Sequence, residues 1–179
     1  MARLANKTTV SKRVIMTSST TPFRILFVCL GNICRSPAGE NIMNAVVRKA
    51  GLADTILCDS AGTMDWHTGK LPDARMRQAA KEHGYYDFKG AARQVLTTDL
   101  EEFDLVLAMD RSNLADLQLL DTEEAYDEKI RLFGRYCSGD KFPEEVPDPY
   151  YGGKEGFHMV IQMVENGCEG ILAEYQNND

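Results

Sequence analysis

No stretch of this chain approaches about 18 consecutive apolar residues, so nothing in it reads as a membrane-crossing helix. Cysteine is scarce and odd in number: five, at positions 29, 34, 58, 137 and 168. No secretory leader is evident ahead of them, which excludes a disulfide framework and points to a reducing compartment. Basic residues are outnumbered, with 20 Lys and Arg against 27 Asp and Glu for a net charge of −7. That balance argues against nucleic acid as a partner. The three histidines, His67, His83 and His158, show no metal-ligand spacing, and Cys29 and Cys34 lack the second pair that zinc needs. No metal is therefore expected. Neither a Walker-type loop nor Gly-x-Gly-x-x-Gly occurs, so no nucleotide cofactor is implied. At 179 residues, 44% hydrophobic and 26% charged, what remains is a soluble chain of cytoplasmic type and about one domain in size.

Charge is unevenly spread. Residues 1–24 contain Arg3, Lys7, Lys12, Arg13 and Arg24 but no acid, while the rest carries 15 bases and 27 acids. Residues 1–22 also hold eight Ser and Thr without periodicity, and read as a solvated N-terminal arm ahead of a domain over 23–179. The same composition suits an organelle transit peptide, with Met16 as an internal start, so both readings stay open.

From Phe23 onward strands and helices alternate. Ile25 to Cys29 is a continuous apolar run, as expected of a strand buried on both faces. Ser36-Pro37 supplies a cap residue and a first-turn proline for a helix striped by Ile42, Met43, Val46 and Val47. Residues 56–60, 105–109 and 130–133 read as three further strands. Helices are expected from Pro72-Asp73 to about His83, from Thr98 to Phe103, over 111–120, and over 154–175, with a further helical turn capped by Thr122. Gly167 and Gly170 should weaken the last helix. The pattern predicts a three-layer, Rossmann-like α/β fold, with a four-stranded parallel sheet flanked by helices and right-handed crossovers. Ligands in such sheets sit beyond the carboxyl ends of the strands, which singles out the loop after the first strand.

That loop reads Cys29-Leu30-Gly31-Asn32-Ile33-Cys34-Arg35-Ser36. A Cys at a strand end, five residues, then Arg and Ser at a helix start suit a tetrahedral dianion. Backbone N–H groups of a tight turn form an anion nest, reinforced by the positive helix N-terminus. Gly31 permits close backbone approach, and Asn32 tolerates a left-handed conformation. Arg35 can fork onto two phosphate oxygens, and the same field, with a hydrogen bond from Ser36, favours the Cys29 thiolate. Cys34 is either a partner for a reversible disulfide that protects Cys29 or a small buried side chain.

The stretch Val28 to Pro37 resembles the signature of the low-molecular-weight protein tyrosine phosphatases. The resemblance continues through Asp59-Ser60-Ala61-Gly62-Thr63, Asp65-Trp66, Pro72-Asp73, Ala92-Arg93-Gln94, Ala108-Met109-Asp110 and Asp148-Pro149-Tyr150-Tyr151-Gly152, and spans about residues 23–175. It implies a fold of the phosphotyrosine phosphatase I type and hydrolysis of phosphotyrosine in protein substrates, and of aryl phosphates, without metal or cofactor. By that resemblance Cys29 is the nucleophile, and Arg35 with the amides of residues 30–35 holds the phosphoryl oxygens. Asp148 is the general acid and then the base. Asn32 and Ser60 resemble the pair that braces the loop from beneath, with Ser36 beside them. Trp66, Tyr150 and Tyr151, with Ile33, resemble the rim that sandwiches a flat ring. Asp110 either supports the loop or merely starts the next helix. Where many relatives carry His before Ala92-Arg93, this chain has Gly90 and Ala91, so part of the usual support is built differently. A monomer or weak dimer is expected.

Two relatives of the same fold compete. A thiol-dependent arsenate reductase needs a further closely spaced Cys pair, whereas Cys58, Cys137 and Cys168 are far apart in sequence and suit packing. A protein arginine phosphatase tends to carry Thr where this chain has Ile33, and an apolar residue suits a phenyl ring better. A catalytically dead phosphopeptide-binding module is disfavoured because Cys29, Arg35, Ser36 and Asp148 are all present.

Overall fold

A computed structural model describes residues 21–178. The arm expected over 1–22 lies outside the described residues except for its last two. Four parallel strands form one sheet in the order β2-β1-β3-β4: β1 (Phe23–Cys29), β2 (Ile56–Gly62), β3 (Leu105–Ala108) and β4 (Ile130–Leu132). The helices are α1 (Arg35–Lys49), α2 (Ala74–Glu82), α3 (Thr97–Glu102), α4 (Arg111–Leu120) and α5 (Lys154–Asn178), with a 3-10 turn at Phe133–Tyr136.

Strand β1 sits at the centre, and its alternation builds two cores. Ile25, Phe27 and Cys29 face the larger core beneath α1, α2 and α5; Leu26 and Val28 face the smaller one beneath α3 and α4. Residues Ile25 to Val28 are wholly buried, which is why the run carries no polar alternation. Strand order reverses between β1 and β3, so the loops leaving these two strands share one crevice. The three-layer architecture is the one expected. No helix among the described residues is long and apolar enough to cross a membrane.

Four local expectations are corrected. Helix α1 begins at Arg35, and Ser36 does not cap it, because its hydroxyl is engaged with Cys29 Sγ and Ala61 O. Helix α3 begins at Thr97; the side chain satisfying its first turn is Asp99, which accepts from Leu96 N. Thr122 caps no helix, because the Asp121 carboxylate takes the N–H groups of Ala125 and Tyr126 and holds the segment in turns. Gly167 and Gly170 do not weaken α5, which runs unbroken through both. A Cβ at Gly167 would stand 2.3 Å from the Phe133 ring, and one at Gly170 2.1 Å from Tyr136 O. The missing side chains let the 3-10 turn lie directly against the helix, and that packing outweighs a propensity cost of about 1 kcal/mol per glycine.

Candidate active site

The turn from β1 into α1 wraps tightly because its carbonyls bond outward. Cys29 O accepts from Thr63 N, Leu30 O from Met64 N and Ile33 O from Asp73 N, at 2.8–2.9 Å. The amide N–H groups of residues 30–34 have no partner among the described residues. Asn32 turns the chain at φ 52°, the left-handed conformation expected of it. Gly62, at the end of β2, lets the loop come close: a Cβ there would lie 2.9 Å from Leu30 O and 3.1 Å from Asn32 N. Gly31 makes room for the ring of His67, which a Cβ would approach to 2.9 Å.

Beneath the loop a hydrogen-bond chain fixes side chains that are almost fully buried. Asn32 Nδ2 donates to Ser36 Oγ and to Ser60 Oγ, both at 2.9 Å, while Asn32 Oδ1 accepts from Arg93 N at 2.9 Å. Ser36 Oγ lies 3.0 Å from Cys29 Sγ. Each amide hydrogen and lone-pair side of Asn32 is thereby assigned one partner.

Arg35 is 3% exposed and reaches across the crevice to the loops after β3 and before α5. Its Nη1 donates to Asp110 Oδ2 at 2.5 Å and to Val146 O at 3.3 Å, and its Nη2 donates to Asp148 Oδ2 at 2.9 Å. Burial disfavours the guanidinium charge, but Cys29, Asp110 and Asp148 outweigh it and raise the Arg35 pKa above its ordinary value. The other oxygen of Asp110 caps α4 by accepting from Asn113 N at 2.7 Å. Asp148 is held again by Tyr150 N, and its side chain is 41% exposed, facing the opening.

The resulting cleft has a volume of about 270 Å3. Its floor is Cys29, Leu30, Gly31, Cys34 and Arg35; Ile33, Trp66, His67, Asp148, Tyr150 and Tyr151 form the walls and mouth. Tyr150 and Tyr151 meet edge to face with centroids 5.0 Å apart, and Trp66 and Tyr151 are largely exposed. The residues given site roles from the sequence line this cleft, lie on its loop, or hydrogen-bond to that loop or to Arg35. His67, given no site role from the sequence, lies in its wall. Glu40 and the pair Arg93–Asp59 were not assigned roles there. Glu40 falls one helical turn after Ser36, a spacing that puts both on one face of α1. No His, Cys, Asp or Glu cluster among the described residues could hold a metal ion.

The remaining cysteines line the larger core. Burial pushes the Cys58 thiol up to about 12 and that of Cys137 up to about 11, and raises that of fully buried Cys168 well above the ordinary value. These groups stay protonated at neutral pH, as packing residues do.

Fold and site together define an α/β protein with a cysteine-headed anion loop at the switch point of a parallel sheet. The family described as low molecular weight phosphotyrosine protein phosphatase matches residues 24–179. A Synechocystis relative assigned to the low molecular weight protein-tyrosine-phosphatases is 49% identical over 83% of this chain and 94% of its own length. The crystal structure of a protein tyrosine phosphatase from Entamoeba histolytica superposes with a TM-score of 0.83 at 41% identity, covering 87% of this chain and 98% of that one. A Drosophila arginine phosphatase superposes with a TM-score of 0.79 at 35% identity, covering 87% and 99%. The chain belongs to the low molecular weight phosphotyrosine protein phosphatase family.

Proposed function

We propose that residues 23–179 form a phosphatase domain that hydrolyses phosphotyrosine in protein substrates, and small aryl phosphates, through a phosphocysteine intermediate. The observation that carries this reading is the meeting of Cys29 and Arg35, from one turn, with Asp148, 113 residues beyond Arg35, in one narrow cleft. A phosphate dianion entering the loop takes the unpartnered amides of residues 30–34 and the fork of Arg35, displacing the Asp148 carboxylate from Nη2. The freed carboxyl group then stands beside the ester oxygen as the general acid. Cys29 Sγ attacks phosphorus in line, the P–O bond to the phenol breaks, and Asp148 gives its proton to the departing oxygen. Water, deprotonated by Asp148, then cleaves the S–P bond and frees Cys29 and phosphate. Ser36 steadies the thiolate from below, and Asn32, Ser60 and Asp110 brace the groups that touch substrate.

The walls supply the preference for an aryl ester. Ile33, Trp66, Tyr150 and Tyr151 line the cleft, and the apolar Ile33 suits a phenyl ring. Likeness to the Drosophila arginine phosphatase extends over the whole fold, so Ile33 and the aromatic rim carry the distinction. Cys34 is buried beside Cys29, and burial raises its thiol pKa above the ordinary value. Closing a disulfide on a Cys29 sulfenic acid needs the Cys34 thiolate, which that burial disfavours, so the small buried side chain is the better supported of its two readings.

The test is turnover of an aryl phosphate in chelator-treated buffer. Wild type is expected to hydrolyse it and to be inhibited by vanadate, and Cys29→Ser to lose turnover while still binding vanadate or phosphate. A Cys29→Ser protein with wild-type activity would remove Cys29 as nucleophile.

A further inference from the structure

The start of α2 is bonded to two residues of the cleft wall. Asp73 N donates to Ile33 O at 2.8 Å, and Arg75 Nη1 donates to Tyr150 O at 3.0 Å. Beyond that turn lies a second depression of about 440 Å3, between α2 and the start of α5. Ala79 and Phe157, both buried, form its floor, and Ala74, Arg75, Gln78 and Lys154 form its walls. Part of its rim is the bare backbone of Gly152 and Gly153, which directly follow the cleft residue Tyr151. Arg75 is the ridge between the two spaces. Its guanidinium carbon stands 5.2 Å from the Tyr150 ring centroid and 4.8 Å from that of Phe157.

The chemistry of an occupant follows from which groups of the groove are already engaged. Asp73 chelates Arg75 through Nε at 3.0 Å and Nη2 at 2.8 Å. Glu82 takes Gln78 Nε2 at 2.9 Å and Lys154 Nζ at 3.0 Å. What these side chains offer to the open space is their aliphatic stems, laid beside the Ala74 methyl group and above the floor. An anion entering here would compete with Asp73 or Glu82 for its partners, whereas an apolar side chain displaces only water. An apolar floor inside a polar rim is also the arrangement in which a single anchoring side chain carries most of a contact's energy.

We propose that this groove is a substrate-docking site that receives an apolar side chain lying about two or three residues from the phosphotyrosine. It rests on the phosphatase reading for the seat of the phosphate and adds to it a preference among phosphorylated peptides. Continuity with the cleft is what assigns the occupant. A phosphotyrosine seated over the anion loop brings its own peptide chain to the mouth, where Tyr150 and Tyr151 stand. An extended chain advances about 3.3 Å per residue, so about two or three residues carry it across a ridge that is one side chain thick. The glycines at 152 and 153 place no side chain in its path.

The experiment measures kcat/KM for phosphotyrosine peptides in which Leu replaces Ala at one position at a time on either side of the phosphotyrosine. The reference substrate is p-nitrophenyl phosphate, which has no peptide. Leu is expected to raise kcat/KM by about fivefold to twentyfold at a position about two or three residues away, less than full burial of a leucine would give. Ala74→Trp and Gln78→Trp each set an indole in the groove from an exposed position of α2. In both, the gain should fall below about twofold, while p-nitrophenyl phosphate turnover stays within about twofold of wild type. Four results would overturn the proposal: no position that prefers Leu, an equal gain from Asp, a gain that survives both variants, or a matching fall in p-nitrophenyl phosphate turnover in both. The last would mean that the groove only supports the cleft wall. A wild type that hydrolyses p-nitrophenyl phosphate without preferring Leu keeps the phosphatase reading and loses the groove. One that hydrolyses neither substrate loses the phosphatase reading, and the same Leu-for-Ala comparison in peptide Kd then decides the groove.

Discussion

Two arginines in this protein each grip two aspartates, and they are built for opposite purposes. Arg35 holds Asp110 and Asp148; Arg93 holds Asp59 and Asp99. Around Arg93 every bond ties structure to structure: Asp59 lies within β2, Asp99 satisfies the first turn of α3, and the Arg93 amide pins Asn32. Around Arg35 two bonds are of that kind, to Val146 O and to Asp110, which also caps α4. The other, to Asp148, faces the opening. Asp148 is cheap to release into water, and Asp59 is no less exposed, but Asp99 is largely shielded, so losing Arg93 would strand it. The difference separates a grip meant to be exchanged for phosphate from one meant to last.

Substitutions can break or sharpen that contrast. The largest effect is expected from Arg35→Lys, which keeps the charge but removes the fork. The kcat/KM for an aryl phosphate should fall by about 10^3-fold with little change in Tm. An activity within tenfold of wild type would show that the fork is not what grips the transition state. Asp148→Ala should come next, slowing esters of poorly acidic phenols by about 10^2-fold and those of good leaving groups much less. Equal slowing across a leaving-group series would exclude it as the acid. Arg93→Ala should reverse the pattern: a loss of about 2–3 kcal/mol in chemical denaturation, as Asp99 is left buried without its partner, with a smaller loss of turnover at temperatures where the variant stays folded. The smallest effect is expected from Ile33→Thr, a change of about threefold to tenfold in the ratio of phosphotyrosine to phosphoarginine hydrolysis. An unchanged ratio would shift the burden of selectivity to Trp66, Tyr150 and Tyr151.

The exchanged grip was more legible in the sequence than the lasting one, for a physical reason. Cys29, Arg35 and the loop between them are contiguous, so their spacing alone places them on a single strand-to-helix turn. The sheet was legible for a similar reason, since a run such as Ile25 to Val28 admits no exposed face. Asp148 lies 113 residues from Arg35, and only the family resemblance connected the two. The support beneath the loop was partly hidden because it is made of ordinary polar residues whose meaning is their contact. Ser36 looked like a helix cap because caps and thiolate donors call for the same hydroxyl. Asp99 and Asp121 took the capping work from Thr98 and Thr122, since a carboxylate competes well for free N–H groups and adjacent residues are hard to rank by type. Glu40 carried no local signal except its helical spacing from Ser36.

The glycines of α5 bear on how such a protein could be made sturdier. A common route to thermostability replaces helical glycine with alanine, and Gly167 and Gly170 would top any shortlist drawn from propensity alone. Both stand where Phe133 and Tyr136 press against the helix backbone, and Gly39 in α1 receives the Phe27 ring in the same way, 2.4 Å from where a methyl group would sit. The engineer's gain of a few tenths of a kcal/mol to about 1 kcal/mol in chain entropy would be set against displaced aromatic rings in the larger core. In this fold the helices' least helix-like residues are the sockets for its rings, and a stabilising programme would do better to leave them empty.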